Sequence, residues 1–272
     1  MRFGTWMARV FPSMQNVQVP LDSETWISMD LRRIDHQPTF LDGSVLSESD
    51  ERGFLPCLVA NGGTAIDVGA HAGVYALALA RLVGPEGLVV AYEPDAADLV
   101  VNASRWRQIL VRPFAVSDVE ANVLFRQERS GALSRIVAAD EFSSQDSAIV
   151  CVTLDAEVGR LRLDRVDFMK IDIEGGESNA LSGARFLLSG SNPPIVLFEW
   201  IPAFRARCNE SAFVTLRTIV GSNWRLFRVG WGQPVMEIGY REPDVPANII
   251  GFPPSRRTAL NQFLKQADIS GA

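Results

Sequence analysis

The 272-residue sequence is poor in the side chains that build disulfide frameworks and zinc sites. Its three cysteines, Cys57, Cys151 and Cys208, are odd in number and show no C-x-x-C spacing, so a disulfide framework is not expected. Reduced cysteines favour a cytoplasmic protein. The two histidines, His36 and His71, lie far apart in the sequence, and no zinc-ligand pattern surrounds either of them.

An excess of basic charge is also missing. The sequence has 26 basic and 32 acidic residues and a formal net charge of −6, which counts against nucleic acid as a substrate. No apolar stretch approaches the ~18 residues that a membrane span needs, and the first residues lack the apolar core of a secretory signal. With 47% hydrophobic and 21% charged residues, the sequence predicts a globular protein with one substantial core.

The sequence does contain a strand, a glycine loop, a helix and a second strand between Gly62 and Asp95. Residues 64–68 form a short apolar run, and residues 73–83 carry small and apolar side chains at helical spacing. The string G-P-E-G ends the helix, and a second buried strand follows, with Glu93 at its carboxyl end. This pattern predicts a βαβ unit that binds a ligand at its strand ends.

The residues at these strand ends restrict the ligand. Gly69 and Gly73 have no Cβ, so the backbone can approach a ligand closely. Glu93 follows the glycine loop by about 20 residues, the position from which a carboxylate accepts both hydroxyls of a ribose. The G-x-G-x-x-G pattern is missing, and Asp67 would repel a diphosphate but attract, directly or through water, the ammonium of an amino acid. A nucleoside joined to an amino acid describes S-adenosylmethionine; the alternative is a turn that binds nothing.

Downstream, the sequence predicts further alternation of strands and helices. A buried strand at 166–171 delivers Asp172 and Glu174 to the sheet edge that carries Glu93. Asp155 is expected to cap a short helix, and a later helix begins at Asn209 or Ser211. The other predicted elements are a helix at 95–106, strands at 109–116, 122–127, 148–154, 194–199, 224–229 and 247–252, and a helix at 255–267.

Five motifs resemble, in the same order, those of the FkbM-type class I methyltransferases. They are D-V-G-A-x-x-G-x-Y at 67–75, E-P-D at 93–95, A-V-S-D at 115–118, T-L-D at 153–155 and K-I-D-I-E-G at 170–175. The resemblance covers about residues 62–253, and His71 stands where the family often has Asn. It implies an α/β, Rossmann-like class I methyltransferase fold with a seven-stranded, mostly parallel sheet and helices on both faces.

The resemblance also implies a division of the chain and a set of cofactor contacts. An N-terminal cap at 1–61 would lie on the substrate side, followed by an S-adenosylmethionine-binding domain at 62–254 and a C-terminal helix at 255–272. Ser117 and Asp118 would lie beside the adenine, although a turn capped by these two residues explains them equally well. The residues expected to bind S-adenosylmethionine are Asp67, Gly69, Ala70, His71, Gly73, Glu93, Ser117 and Asp118.

Methyl transfer to a hydroxyl requires a group that accepts one proton. Asp172 is the first candidate and Glu174 the second, because both follow the fourth strand. Lys170 either keeps Asp172 ionised as its counter-ion or pairs with another acid, and His71 is an alternative base. Asp172, Glu174 and Glu199 could instead hold Mg²⁺, which would lower the pKa of the acceptor, but a metal is not favoured.

By the same resemblance, the acceptor is a hydroxyl on a sugar, glycan or small natural product. Two alternatives are an NAD-dependent oxidoreductase, disfavoured by the missing G-x-G-x-x-G, and a non-catalytic scaffold that binds cofactor. The acceptor pocket is expected from the cap, the loop near Gly131 and residues 200–207; Trp200, Phe204 and Trp231 either stack on a sugar or pack in the core. No nucleic acid partner and no membrane span are expected, and the sequence predicts no oligomeric state.

Overall fold

The computed structural model describes residues 17–21, 25–30, 49–126, 135–137, 143–144, 146–207 and 210–269. Most of the predicted N-terminal cap, including His36, lies outside these residues, as do the loop around Gly131 and Cys208. The described helices are α1 (Ser49–Arg52), α2 (Leu55–Leu58), α3 (Val74–Val83), α4 (Ala97–Ala103), α5 (Leu154–Arg160), α6 (Glu177–Ser182), α7 (Arg185–Ser189), α8 (Ala212–Val220) and α9 (Arg257–Gln266), with 3-10 turns at Pro202–Arg207 and Pro254–Arg256.

The strands form three sheets. They are β1 (Val17–Pro20), β2 (Trp26–Met29), β3 (Thr64–Val68), β4 (Leu88–Tyr92), β5 (Ile109–Arg112), β6 (Ala115–Val116), β7 (Ala121–Arg126), β8 (Arg135–Val137), β9 (Ser147–Val152), β10 (Phe168–Ile171), β11 (Ile195–Trp200), β12 (Arg225–Val229), β13 (Met236–Glu237) and β14 (Ala247–Phe252).

The main sheet has the order β13-β12-β14-β11-β10-β3-β4-β5. Strands β11, β10, β3, β4 and β5 are parallel, and β14 runs antiparallel between β11 and β12. The apolar runs of β3, β4, β10 and β11 are largely buried on both faces, as parallel strands covered by helices require, whereas β5 at the edge is only partly buried. The predicted Rossmann-like α/β fold is confirmed, with eight strands in the sheet rather than seven. The additional strand, β13, is two exposed residues long and leaves no periodic signal.

The strand order reverses between β3 and β10. From β3 the chain continues outward through β4 and β5, whereas β10 leads to β11 on the other side. The helices that follow these strands diverge here, which leaves a crevice at the carboxyl ends. Because β14 is antiparallel to β11, its first residues lie at the same edge of the sheet.

The strand predicted at 109–116 is in fact divided between two sheets. Residues Ile109–Arg112 belong to the main sheet, whereas Ala115–Val116 pair with β9 in a four-stranded sheet. Pro113 lies at the break and has no N–H to donate, so it cannot continue the ladder. The smaller sheet, in the order β6-β9-β7-β8, lies beside the crevice and contributes to its wall.

The helix caps confirm one prediction and correct another. Ser211 caps α8, its hydroxyl accepting a hydrogen bond from the Val214 N–H at 3.3 Å. Helix α5 is capped by Thr153 and not by Asp155. The Asp155 carboxylate instead accepts from the backbone N–H groups of Phe186 and Leu187, at 2.8 and 2.9 Å, and so fixes the start of α7.

Two further segments pack against the helices and strands of the main domain. The β1–β2 hairpin packs Val19 and Ile27 against Leu77 of α3, and α9 buries Phe263 and Leu264. The division at 61 and 254 stays a prediction. Within the described residues, no helix has both the length and the apolar character to cross a membrane.

Candidate active site at the carboxyl ends of the strands

A cavity of about 570 Å³ lies at the carboxyl ends of the parallel strands. The cavity lies where the strand order reverses. It is lined on one side by residues that follow β3 and β4, and on the other by residues at the ends of β10 and β11. The predicted site residues that line it are Gly69, Ala70, His71, Glu93, Ser117, Asp118, Lys170, Asp172 and Glu174.

Two predicted site residues do not line this cavity. Asp67 is completely buried on β3, where it pairs in register with Lys170 of β10. Gly73 is the N-cap of α3 and adopts a left-handed conformation with φ 98°, and a Cβ there would come within 3.0 Å of the Leu99 side chain. The structure therefore explains Gly73 by the start of the helix rather than by a ligand.

Gly69 allows two strand ends to approach each other. Its φ is +79°, and a Cβ at this position would overlap the carbonyl oxygen of Asp172. The loop after β3 is thus pressed against the residue that follows β10. Gly69 consequently fixes the distance between the glycine loop and Asp172.

Glu93 supports the glycine loop with both oxygens of its carboxylate. One oxygen accepts from the His71 N–H at 2.9 Å, and the other accepts from the Asp95 N–H at 3.1 Å. Burial raises the pKa of Glu93, and the nearby His71 opposes this shift. A carboxylate oxygen can accept more than one hydrogen bond, so Glu93 keeps acceptor capacity toward the cavity.

Ser117 and Asp118 contact each other in a turn and also line the cavity. The Ser117 hydroxyl donates to Asp118 Oδ1 at 2.9 Å, which is a local turn contact. Both residues also line the cavity, between the apolar side chains of Phe114 and Val119. An aromatic base would find apolar faces and polar edges here.

Lys170 and Asp172 form an ion pair at the end of β10. Lys170 Nζ lies 2.9 Å from Asp172 Oδ2 and 4.3 Å from the centroid of the Tyr75 ring. The Lys170 side chain is only 6% exposed, whereas Asp172 is 24% exposed. A nearly buried ammonium therefore holds a carboxylate that still reaches the cavity.

Glu199 joins Asp172 and Glu174 in one carboxyl cluster. Carboxylate oxygens of the three residues lie within 4.8 Å of one another, close enough to share a divalent cation. Burial, reinforced by the charges of Asp172, Glu174 and Glu177, raises the pKa of Glu199 to about 10. A proton retained by Glu199 relieves the repulsion within the cluster without a metal.

Glu177, which sequence reasoning missed, positions the loop that carries Glu174. Its carboxylate accepts from the N–H groups of Ile173 and Gly175 at 3.0 and 3.2 Å. Burial raises the pKa of Glu177 to about 7. Glu174 itself has φ 57°, so the loop is held in a conformation that costs energy for a residue with a Cβ.

A second group of cavity residues was also missed by sequence reasoning. Three residues of this group line the cavity: Glu51 of α1, Asn248 of β14 and Tyr75 of α3. Glu51 is hydrogen-bonded to the other two. Glu51 Oε1 accepts from Asn248 Nδ2 at 2.7 Å and from the Tyr75 hydroxyl at 3.2 Å. Glu51 and Asn248 are 197 positions apart, and neither lies in a recognisable motif.

Of the three aromatic residues considered for the acceptor, only Trp231 lines the cavity. Trp200 instead donates its indole N–H to the Pro243 carbonyl and packs edge-on against Phe213, with 5.0 Å between ring centroids. Phe204 also lies outside the cavity wall. Among the described residues, three of the five non-glycine residues with positive φ line the cavity, namely His71, Glu174 and Trp231.

Comparison with known proteins places the chain among methyltransferases. The model of the methyltransferase FkbM domain matches residues 67–218. No curated protein sequence matches the chain. Solved structures similar to it include Aeropyrum pernix fibrillarin in complex with S-adenosyl-L-methionine, with 15% identity over 73% of this chain and 69% of that chain and a TM-score of 0.40. A Thermotoga maritima SAM-dependent O-methyltransferase has 14% identity over 87% and 84% and a TM-score of 0.43.

Proposed function

The chain belongs to the family of FkbM-domain methyltransferases, and we propose that it methylates a hydroxyl group on a sugar, glycan or small natural product. It is an S-adenosylmethionine-dependent methyltransferase with a Rossmann-like fold. The observation that carries the proposal is one cavity that contains both Glu93 at the end of β4 and the Lys170–Asp172 pair at the end of β10.

The residues around Glu93 fit S-adenosylmethionine. A cavity of about 570 Å³ is within the range of cofactor sites, and Glu93 retains acceptor capacity for a ribose diol. We assign the glycine loop of Gly69, Ala70 and His71 to the amino acid end, with Asp67 beneath it and Gly73 shaping the helix start. Ser117 and Asp118 are assigned to the adenine. When bound, this cofactor supplies an activated methyl group.

Asp172 is the proposed general base. Lys170 Nζ donates to Asp172 Oδ2 at 2.9 Å and so holds the carboxylate at the cavity wall, where an oxygen can accept the proton of an acceptor hydroxyl. Contact with the Tyr75 ring restrains the Lys170 ammonium, so the ion pair has a defined position. Glu174 is the second candidate, and its fixed loop supports a positioning role for an acceptor hydroxyl.

Binding of S-adenosylhomocysteine tests the cofactor half of the proposal. Glu93→Gln replaces an oxygen acceptor by an amide donor, which removes a ribose contact and one of the two backbone contacts. We expect calorimetry to show an affinity about tenfold lower or weaker still. Glu86→Gln, on the exposed turn after α3, is the matched control and should bind like the wild type. Unchanged affinity in the Glu93 variant would refute the assignment.

Transfer of label from tritiated S-adenosylmethionine tests the catalytic half. Asp172→Asn keeps the shape of the side chain but removes the base, so turnover should fall by about 10² or more. Asp164→Asn, an exposed acid before β10, serves as control. Full activity of the Asp172 variant would exclude Asp172 as base. Cofactor binding without turnover across an acceptor panel would favour the scaffold alternative, and nicotinamide binding without response to the methyl donor would favour the oxidoreductase.

The carboxyl cluster of Asp172, Glu174 and Glu199 raises the question of metal dependence. We propose that turnover survives a chelator, because a retained proton already stabilises the carboxyl cluster; loss of turnover that Mg²⁺ restores would assign the cluster to a metal.

Cys57 and Cys151 are free cysteines, in line with the cytoplasmic location that we propose.

A further inference from the structure

A polar wall continues from the proposed catalytic residues across the antiparallel side of the sheet. Asn248 pairs in register with Glu199 of β11 on one side and with Val229 of β12 on the other. Register partners project to the same face of a sheet, so Asn248 extends the row that begins with Asp172 and Glu199. Glu93 lies on the other side of the main sheet, after β4, and Ser117 and Asp118 follow β6 of the smaller sheet.

Hydrogen bonds hold Glu51 in place within this polar wall. Glu51 is completely buried and accepts from both Asn248 and Tyr75. The backbone after β12 leaves room for this arrangement, since a Cβ at Gly230 would lie 2.6 Å from Glu51 Oε2. The position of Glu51 therefore depends on Gly230, Asn248 and Tyr75, which lie in three separate parts of the chain.

Trp231 forms the rim beside this wall. It follows Gly230 directly, lines the cavity and remains 41% exposed. Its φ of 58° is unfavourable for a bulky residue and turns the chain where β12 ends. An exposed indole face next to hydrogen-bonding groups suits a ring that is apolar on one face and hydroxylated at its edges.

The charge of the cavity restricts the occupant further. Among the described residues it is lined by six acids and one lysine, and that lysine is paired with Asp172. Carboxylate or phosphate groups on an acceptor would be repelled. A cationic amine would use only acceptors, whereas the side-chain amide of Asn248 has two N–H groups, one of which donates to Glu51, and so also provides a donor for a hydroxyl oxygen.

We propose that Glu51, Asn248 and Trp231 form the acceptor subsite and that it takes an uncharged sugar ring. The inference rests on the proposed function, since it assumes that the cofactor occupies the Glu93 side. All three residues lie outside the segment 67–218 that matches the FkbM domain. The acceptor would thus be recognised by residues outside the part of the chain that matches the FkbM domain.

Saturation-transfer NMR tests this with defined probes: methyl glycosides of neutral hexoses, the matching uronic acids, and short aliphatic amines, each with and without S-adenosylhomocysteine. Neutral glycosides should bind to the wild type, and uronic acids and amines should not. Trp231→Ala should weaken glycoside binding about tenfold, and Trp231→Phe should restore most of it. Trp26→Ala removes another exposed tryptophan, outside the cavity, and should have no effect.

Calorimetry with S-adenosylhomocysteine on the same samples separates the two proposals. If the wild type binds this nucleoside but no neutral glycoside, the acceptor inference is overturned and the proposed function stands. Equal glycoside binding by the wild type and Trp231→Ala, or preferred binding of uronic acids or amines, also overturns it. If S-adenosylhomocysteine does not bind at all, the proposed function fails first.

Discussion

The ionisation of Glu199 is strongly affected by its surroundings. It lies near the end of β11 with Asp172 and Glu174 close by, and its pKa is raised from 4.5 to about 10. The unfolded chain releases this proton above pH 4.5, whereas the folded protein keeps it to about pH 10. Between these values the folded state binds more protons, so the contribution of Glu199 to the free energy of unfolding falls as pH rises.

Glu199→Gln should therefore stabilise the protein at neutral and alkaline pH. The amide is neutral in both the folded and the unfolded state. The variant therefore has no carboxyl group that must stay protonated in the folded state above pH 4.5, where the unfolded chain releases the proton. We expect its free energy of unfolding to equal that of the wild type near pH 5 and to exceed it by about 1 kcal/mol or more at pH 8. Urea denaturation at both pH values measures this difference, with Glu86→Gln as an exposed control. A difference independent of pH would contradict the shifted pKa.

Some residues of the site could be predicted from the sequence and others could not. Asp172 and Glu174 follow an apolar strand within a motif, so both their position and their chemistry are visible locally. Glu51 and Asn248 can be recognised as cavity residues only in the folded structure, where a hydrogen bond joins these distant parts of the chain. The raised pKa of Glu199 likewise depends on burial and neighbouring charges, which no sequence pattern records.

At the scale of elements, the ends of β3 and β10 are joined through Gly69. Gly69→Ala would place a methyl group against the Asp172 carbonyl oxygen at a φ that L-residues rarely adopt. We expect the free energy of unfolding to fall by about 2 kcal/mol or more, because both clash and strain act on backbone that cannot move independently. Cofactor affinity should also fall, since the displaced loop carries His71, whose N–H contacts Glu93.

Gly159→Ala is the matched control for this effect. Gly159 lies inside helix α5, and a Cβ there meets nothing within 4 Å. Replacement of a helical glycine by alanine should raise the free energy of unfolding by about 0.5–1 kcal/mol. If both variants changed stability in the same direction and by the same amount, the close approach at Gly69 would not be responsible.

The elements that the sequence predicted well are those with long, uniform patterns. Strands β3, β4, β10 and β11 are continuous apolar runs and were placed within about two residues. The errors arose where one residue decides between two local outcomes. Pro113 ends a strand that hydrophobicity alone would continue. Asp155, in the first turn of α5, accepts hydrogen bonds from the first turn of α7 instead of capping its own helix.

At the scale of the whole molecule, helix α9 completes one side of the core around the sheet. Phe263 of α9 lies 4.9 Å from Phe54, and 5.1 Å from both Phe227 and Phe252, measured between ring centroids. Arg256 adds hydrogen bonds to Asp167, Val166 and Pro193 at the opposite edge from the cavity. The helix predicted at 255–267 thus packs into the same hydrophobic core as α2 and β12.

Phe263→Ala should consequently destabilise the entire protein without altering the active site. Phe263 is completely buried, so its truncation leaves a cavity among three aromatic rings, and we expect a loss of about 3–5 kcal/mol in the free energy of unfolding. Phe186→Ala, at a position 79% exposed, should change stability by less than about 0.5 kcal/mol. Because Phe263 does not line the cavity, both variants should bind S-adenosylhomocysteine with wild-type affinity at a temperature where they are folded. Saturating ligand should then stabilise both by the same free energy, and a smaller effect in Phe263→Ala would show that α9 is coupled to the cofactor site.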